Sequence, residues 1–238
     1  MVEHKRLPPE ELRSVLIRRL EIALDAEHEV KLEDWSNLLP PSFGARLLAT
    51  LKVHENFLNA SLATELFEAA FIESAEYAGL TVERARGGAR FWDVRVEGFH
   101  FSLKSTAARD IKEGYLHISK LCEAAWIQDV RSARDRSHAT KALFAEYLEL
   151  VDAIIVLRYF REKQDYELVK IPSSLLQPIL DLPDSAFAAD GPTIWIPNDA
   201  EQDLQLKLDR SDAKITLARI SKARCHVYAR WHIPRRQS

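Results

Sequence analysis

The stretch Phe91-Trp92-Asp93-Val94-Arg95-Val96-Glu97-Gly98-Phe99-His100-Phe101-Ser102-Leu103-Lys104 decides how this chain is read. With Glu97-Gly98 as the two-residue turn of a hairpin, Val96 faces Phe99, Val94 faces Phe101 and Trp92 faces Leu103. Each pair is apolar. Side chains alternate along a strand, so the same register gathers Asp93, Arg95, His100, Ser102 and Lys104 on the other face. Asp93 then lies opposite Ser102, with Lys104 one step further and His100 nearer the turn. A half-buried hairpin explains the apolar pairs without requiring an acid and a lysine to meet at its open end. The plainest account of that face is a solvated strand surface carrying one ion pair.

A catalytic account is also available. Mg²⁺ takes hard oxygen ligands, so a carboxylate fixed on a strand can hold it against a scissile phosphate. A neighbouring lysine can orient or help deprotonate the attacking water and balance developing charge. The motif Asp93…Ser102-Leu103-Lys104 resembles that of the PD-(D/E)-x-K nuclease superfamily, which includes many type II restriction endonucleases. Two departures stand out: Phe91-Trp92 replaces the proline region before the aspartate, and Ser102 occupies the usual acidic position. Serine is a poor metal ligand. The resemblance therefore implies a carboxylate supplied from a helix, with Glu123 favoured and Glu68 as an outer or supporting ligand. It further implies a Mg²⁺-dependent endonuclease acting on double-stranded DNA, a homodimer, and a cognate DNA methyltransferase acting separately. A non-catalytic DNA-binding or regulatory protein that kept the fold and lost the acid at Ser102 is the alternative. Neither Asp93 nor Lys104 is expected to hold the core.

Outward from the hairpin, the periodicities give an element order. Pro8-Pro9-Glu10-Glu11 opens a helix on which Leu12, Val15, Leu16, Leu20 and Ala23 recur at helical spacing. Helices are predicted over 42–52 and 62–77, the latter stopped by Gly79. Strands follow at 80–82, 91–96 and 99–104, with Gly87-Gly88 as a turn. Helical spacing returns over 119–128 and 132–150, then 153–160 and 166–171 read as a buried strand and its hairpin partner. Residues 204–208 and 215–217 form two more strands. This is an α/β (α+β) chain with a mixed sheet flanked by helices, and residues 62–160 follow the α-β-β-β-α-β order of a restriction-endonuclease-like core. A single domain is expected, with a helical part over 1–60, the nuclease-like core over 61–171 and a β-rich basic part over 172–238.

Composition limits the alternatives. With 47% apolar and 29% charged residues, the chain has a globular rather than a disordered balance. Two cysteines cannot build a disulfide framework or a zinc site, and the eight histidines show no ligand spacing. Neither a signal peptide nor a membrane-length apolar run is apparent, so a cytoplasmic location and no membrane partner are expected. The net charge of −3 conceals a strong asymmetry: from Ala213 onward the chain carries seven basic residues and no acid. Such segregation suggests a polyanion approaching one face. Arg219, Lys222 and Arg224 are accordingly candidate DNA contacts, with Arg109 and Ser105, just beyond Lys104, as further candidates.

Overall fold

The computed structural model describes residues 9–62, 64–86, 90–187, 193–197 and 204–235. Helix α1 (Pro9–Leu24) leads to strand β1 (Glu29–Glu33), then to α2 (Pro41–Asn56) and α3 (Thr64–Tyr77). Strands β2 (Val82–Arg84), β3 (Val94–Val96), β4 (Phe99–Thr106) and β5 (Tyr115–Glu123) follow. Helix α4 (Ala133–Leu150) precedes β6 (Ala153–Phe160) and β7 (Asp165–Pro172). The last strands are β8 (Thr193–Ile196), β9 (Leu204–Asp209), β10 (Lys214–Ser221) and β11 (His226–His232). The expected α-β-β-β-α-β order is present from α3 to β6, with β5 as an insertion.

Two sheets are formed among the described residues. The larger runs β1-β11-β7-β6-β4-β3-β2, and the smaller runs β5-β10-β9-β8. Strands β4 and β6 pair in parallel across the helical crossover, and the other neighbours in the larger sheet are antiparallel. Every residue of β6 is buried, as a strand covered on both faces requires. Its odd positions, Ala153, Ile155, Leu157 and Tyr159, join a core with Phe43, Phe67 and Phe71 from α2 and α3. Its even positions Ile154 and Val156 join a second core with Phe144 and Tyr147 of α4 and the apolar face of the smaller sheet. Period-two alternation thus sorts one strand between two layers.

The hairpin register holds where both strands exist: Val94 pairs with Phe101, Arg95 with His100 and Val96 with Phe99. Val94, Val96, Phe101 and Leu103 enter the core under α2 and α3, as expected. Strand β3 begins at Val94 rather than Phe91, because Phe91 takes φ +76° and turns the chain out of the extended conformation. Trp92 consequently leaves Leu103 and packs on the opposite core, its ring 4.8 Å from that of His100. The predicted Gly87-Gly88 turn lies outside the described residues.

The helix expected over 119–128 is a strand followed by one 3-10 turn, Ala125–Gln128. A break in the β5–β10 register explains the misreading: Ile215 pairs with Cys122, but Leu217 pairs with Ile118. Ile118 and Leu121 therefore both face inward three residues apart, which imitates helical spacing. Strand β11 inserts between β1 and β7, so the C-terminal segment contributes to the larger sheet as well as the smaller one. Among the described residues no helix is long and apolar enough to cross a membrane.

Candidate active site

Because β3 extends no further than Val94, no strand continues beside Leu103 on that side among the described residues. The side chain of Asp93 takes the vacant ladder position. Its main-chain N–H donates to the carbonyl of Phe101 at 2.8 Å, and its Oδ2 accepts from the N–H of Leu103 at 2.6 Å. The same oxygen receives the Ser102 hydroxyl at 3.3 Å and lies 3.5 Å from the Lys104 ammonium. All these contacts fall on Oδ2, and Oδ1 has no hydrogen bond among the described residues. Asp93 remains one-third exposed, so the uncommitted oxygen belongs to a carboxylate that solvent reaches.

Ser102 is fully buried on the face shared with α4. Below it, the Tyr147 hydroxyl comes close without meeting hydrogen-bond geometry, and burial pushes its pKa upward. Serine suits this position electrostatically, since a buried carboxylate here would sit against the Asp93 charge in an apolar setting.

The two candidate acids differ in their settings. Glu68, on α3, has its carboxyl pushed up by burial first and by the Asp93 charge second, with Arg84 and Lys104 opposing. It therefore senses Asp93 electrostatically. Glu123 closes β5 rather than sitting on a helix, is 79% exposed and accepts from Lys120 at 2.7 Å. That lysine holds its carboxyl below the usual range. Glu123 nonetheless lines the same cavity as Asp93 and Lys104, about 480 Å³ in volume and also bounded by Arg90, Trp92 and Cys122. Arg90 was not singled out from the sequence. It stacks on Phe91 at 4.6 Å and pairs with Glu146, a partner 56 positions away that no local pattern reveals. Cys122 is no nucleophile: burial pushes its thiol up to about 12.

Lys104 joins this cavity to a second of about 650 Å³ between β4 and β5, which Ser105, His117 and Lys120 also line. Thr106 and His117 then connect it to a third of about 460 Å³, walled by Tyr115 and Arg219. The Arg219 guanidinium lies 5.7 Å from the Tyr115 ring and 5.5 Å from that of Trp195. Its φ of +56° falls within a second break of the β5–β10 register, between Leu217 and Ile220.

Arg109 borders a smaller cavity beside Glu113 and Lys163, next to the third and sharing Ala108 and Ile111 with it. Lys222 donates to the buried Glu167 at 2.8 Å, and Arg224 is half-buried in the short turn Lys222–Arg224. The basic tail finds many of its counter-charges within the fold. Lys214 pairs with Asp212, Arg230 with Asp165, and Arg235 with Glu55.

Among the described residues no three His, Cys, Asp or Glu side chains gather closely enough to enclose a metal by themselves.

Residues 32–233 match the SmaI family model, described as type II site-specific deoxyribonuclease. The chain belongs to that family. It is 33% identical over 144 residues to the type II restriction enzyme SmaI of Serratia marcescens, covering 56% of this chain and 52% of that protein. The chain thus spans about half the length of the curated relative it matches. A solved restriction endonuclease in complex with substrate DNA is similar at 12% identity and a TM-score of 0.28, over 74% of this chain and 66% of that one.

Proposed function

We propose that the chain is a Mg²⁺-dependent endonuclease that hydrolyses phosphodiester bonds in double-stranded DNA at a specific sequence. In this reading it acts as a homodimer in the cytoplasm, and a methyltransferase acts separately on the same sites. The observation that supports it best is the meeting of Asp93 and Lys104 at the open end of the hairpin, within a chain of this family. Asp93 contributes Oδ1, and Glu68 is the better second carboxylate, because a cation between them would offset both the burial and the Asp93 charge that raise the Glu68 carboxyl. A bound divalent ion supplies Lewis-acid stabilisation of the phosphoryl oxygens and a more acidic water. Lys104 holds the attacking water and balances charge at the phosphate. Residues 61–171 carry this chemistry.

The three joined cavities run from Arg90 past Lys104 and Lys120 to Arg219, a line of cations suited to a phosphate backbone. Ser105 and Arg219 border that path, and Arg224 is the remaining candidate contact from the basic tail. Arg109 would act on a flanking phosphate. Lys222 is a weaker candidate, being engaged with Glu167.

Incubating the protein with unmethylated phage DNA and Mg²⁺ should give discrete fragments, and chelation should suppress them. DNA binding without cleavage in any divalent ion would favour the non-catalytic alternative that the serine at position 102 suggests. The two acids separate in the same assay. Glu68→Gln should lower activity about 10- to 100-fold, as loss of a supporting metal group does. Glu123→Ala should stay within a few-fold of the parent, since that carboxylate is exposed and paired with Lys120. The reverse ranking would move the second ligand to Glu123.

A further inference from the structure

The third cavity differs in chemistry from the two that lead to it. Apolar atoms make up most of its wall, supplied by Ala108, Ile111, Leu116, Val156 and Ala218 with the half-buried Tyr115. Its volume of about 460 Å³ lies within the ~300–1,000 Å³ of pockets that enclose small ligands. Phosphate does not suit such a wall, because burying its charge among apolar groups is costly. Of the cations that line it, Arg158 is committed to Glu167 and to main-chain carbonyls. Lys112 and Arg219 are exposed, as groups at a mouth are. Asp110 adds a negative charge that a phosphate would meet unfavourably.

Position ties this cavity to the reacting centre. Lys104 pairs with Val156 and Thr106 with Arg158, and their side chains share one face of the β4–β6 ladder. Thr106 stands two residues beyond Lys104, about 7 Å along the strand. At about 3.4 Å per nucleotide, that is about two base steps from the bond that Lys104 attends. The opposite wall is shaped by a bulge. Leu217 pairs with Ile118 and Ile220 with Leu116, so Ala218 and Arg219 together stand opposite His117. Arg219 takes φ +56° there, a conformation that glycine adopts freely and arginine does not. The bulge sets its guanidinium beside the rings of Tyr115 and Trp195, the second of these 49% exposed.

We propose that the third cavity receives one nucleobase turned out of the DNA duplex, from a nucleotide close to the cut. The choice of DNA as the source rests on the duplex-cutting reading. A paired base lies flat within its stack and does not enter a recess, so occupancy requires extrusion. Stacking on Tyr115 and burial among the apolar side chains offset the lost pairing. Arg219 holds the phosphate of the same nucleotide at the mouth. The Thr106 hydroxyl, Asp110 carboxylate and His117 imidazole meet the hydrogen-bonding edge of the base.

The test is the effect of base pairing on affinity. Duplexes that the protein retains from a random pool, with Ca²⁺ in place of Mg²⁺, supply the binding sequence. An abasic analogue is then placed opposite each base in turn. Extrusion costs least where pairing is already lost, so at one position the analogue should tighten binding about tenfold. At the other contacted positions it should be neutral or weaken binding. Ala218→Leu, which fills the cavity, should abolish the gain, and Ala108→Leu fills it from the facing loop if that variant fails to fold. Tyr115→Ala should weaken binding about tenfold, while Tyr115→Phe, which keeps the ring, should stay within a few-fold. Affinity that rises at no position would overturn the inference. So would a gain that the folded, cavity-filled variants retain. Cleavage in Mg²⁺ is scored separately. A protein that cuts without such a gain keeps the proposed function and loses the pocket, and one that shows the gain without cutting does the reverse. Failure to bind any duplex removes both.

Discussion

Asp93→Asn should reduce duplex cleavage by about 10³-fold or more and leave the protein folded. The substitution removes the charge but keeps an oxygen that can accept from the N–H of Leu103, the shortest of the Asp93 side-chain contacts. Asp93→Ala should lose the same activity and, in addition, about 1–3 kcal/mol of stability, because the main-chain donor of Leu103 loses its acceptor. This corrects the expectation that Asp93 is indifferent to the core: it finishes a ladder that β3 leaves incomplete. Lys104→Ala should cost about 10²- to 10⁴-fold in rate, the range for a positioned proton-transfer group. Its stability should change by less than about 1 kcal/mol, since the pair with Asp93 is partly exposed. Single-turnover cleavage of a short duplex, read beside thermal melts, separates the two effects. If either folded variant cuts within tenfold of the parent, that residue leaves the mechanism.

The hairpin was legible because its information is local: a two-residue turn and strict alternation determine which side chains share a face. The same logic failed where backbone geometry departs from the regular repeat. Phe91, at φ +76°, leaves the extended run three residues shorter than expected, and nothing in Arg90-Phe91-Trp92 announces it. The register break in β5 brought Ile118 and Leu121 to one face and made a strand look helical, which placed Glu123 on the wrong kind of element. Strand β1 was missed although Glu29-Val30-Lys31-Leu32-Glu33 alternates polar and apolar residues; the run is only five residues long, and all five are exposed. Charge counting found the basic tail but not its partners. Arg235 meets Glu55, 180 positions away, and Lys222 meets Glu167, 55 away. A segregated charge in sequence can be a fold contact between distant segments as readily as a surface for a polyanion.

Glu167→Ala should destabilise the protein by about 3–5 kcal/mol, because it strands buried cations rather than removing a surface pair. Glu167 and Arg158 are each 1% exposed and joined at 2.6 Å, with Lys222 on the second carboxylate oxygen. Burial lowers the Arg158 pKa, and the Glu167 charge is what chiefly opposes that. For a chain of this length the melting temperature should fall by about 10 °C. Arg158 also donates to the carbonyl of Tyr115 at 3.2 Å and to that of Lys112, both beside the third cavity, so the damage should reach DNA binding. Replacing Arg158 and Glu167 together by methionine should recover much of the stability, since a buried pair is costly mainly when half of it is removed. Lys222→Ala leaves Arg158–Glu167 intact and should cost about 1 kcal/mol or less. Its effect on DNA affinity should be correspondingly small. Arg219→Ala, in the cavity wall, should weaken binding and flatten the dependence on salt by about one counterion. If Lys222→Ala lowers the salt slope as much as Arg219→Ala does, the lysine exchanges Glu167 for phosphate on binding. A Glu167→Ala protein that melts with the parent would show that Arg158 finds adequate partners in main-chain carbonyls alone.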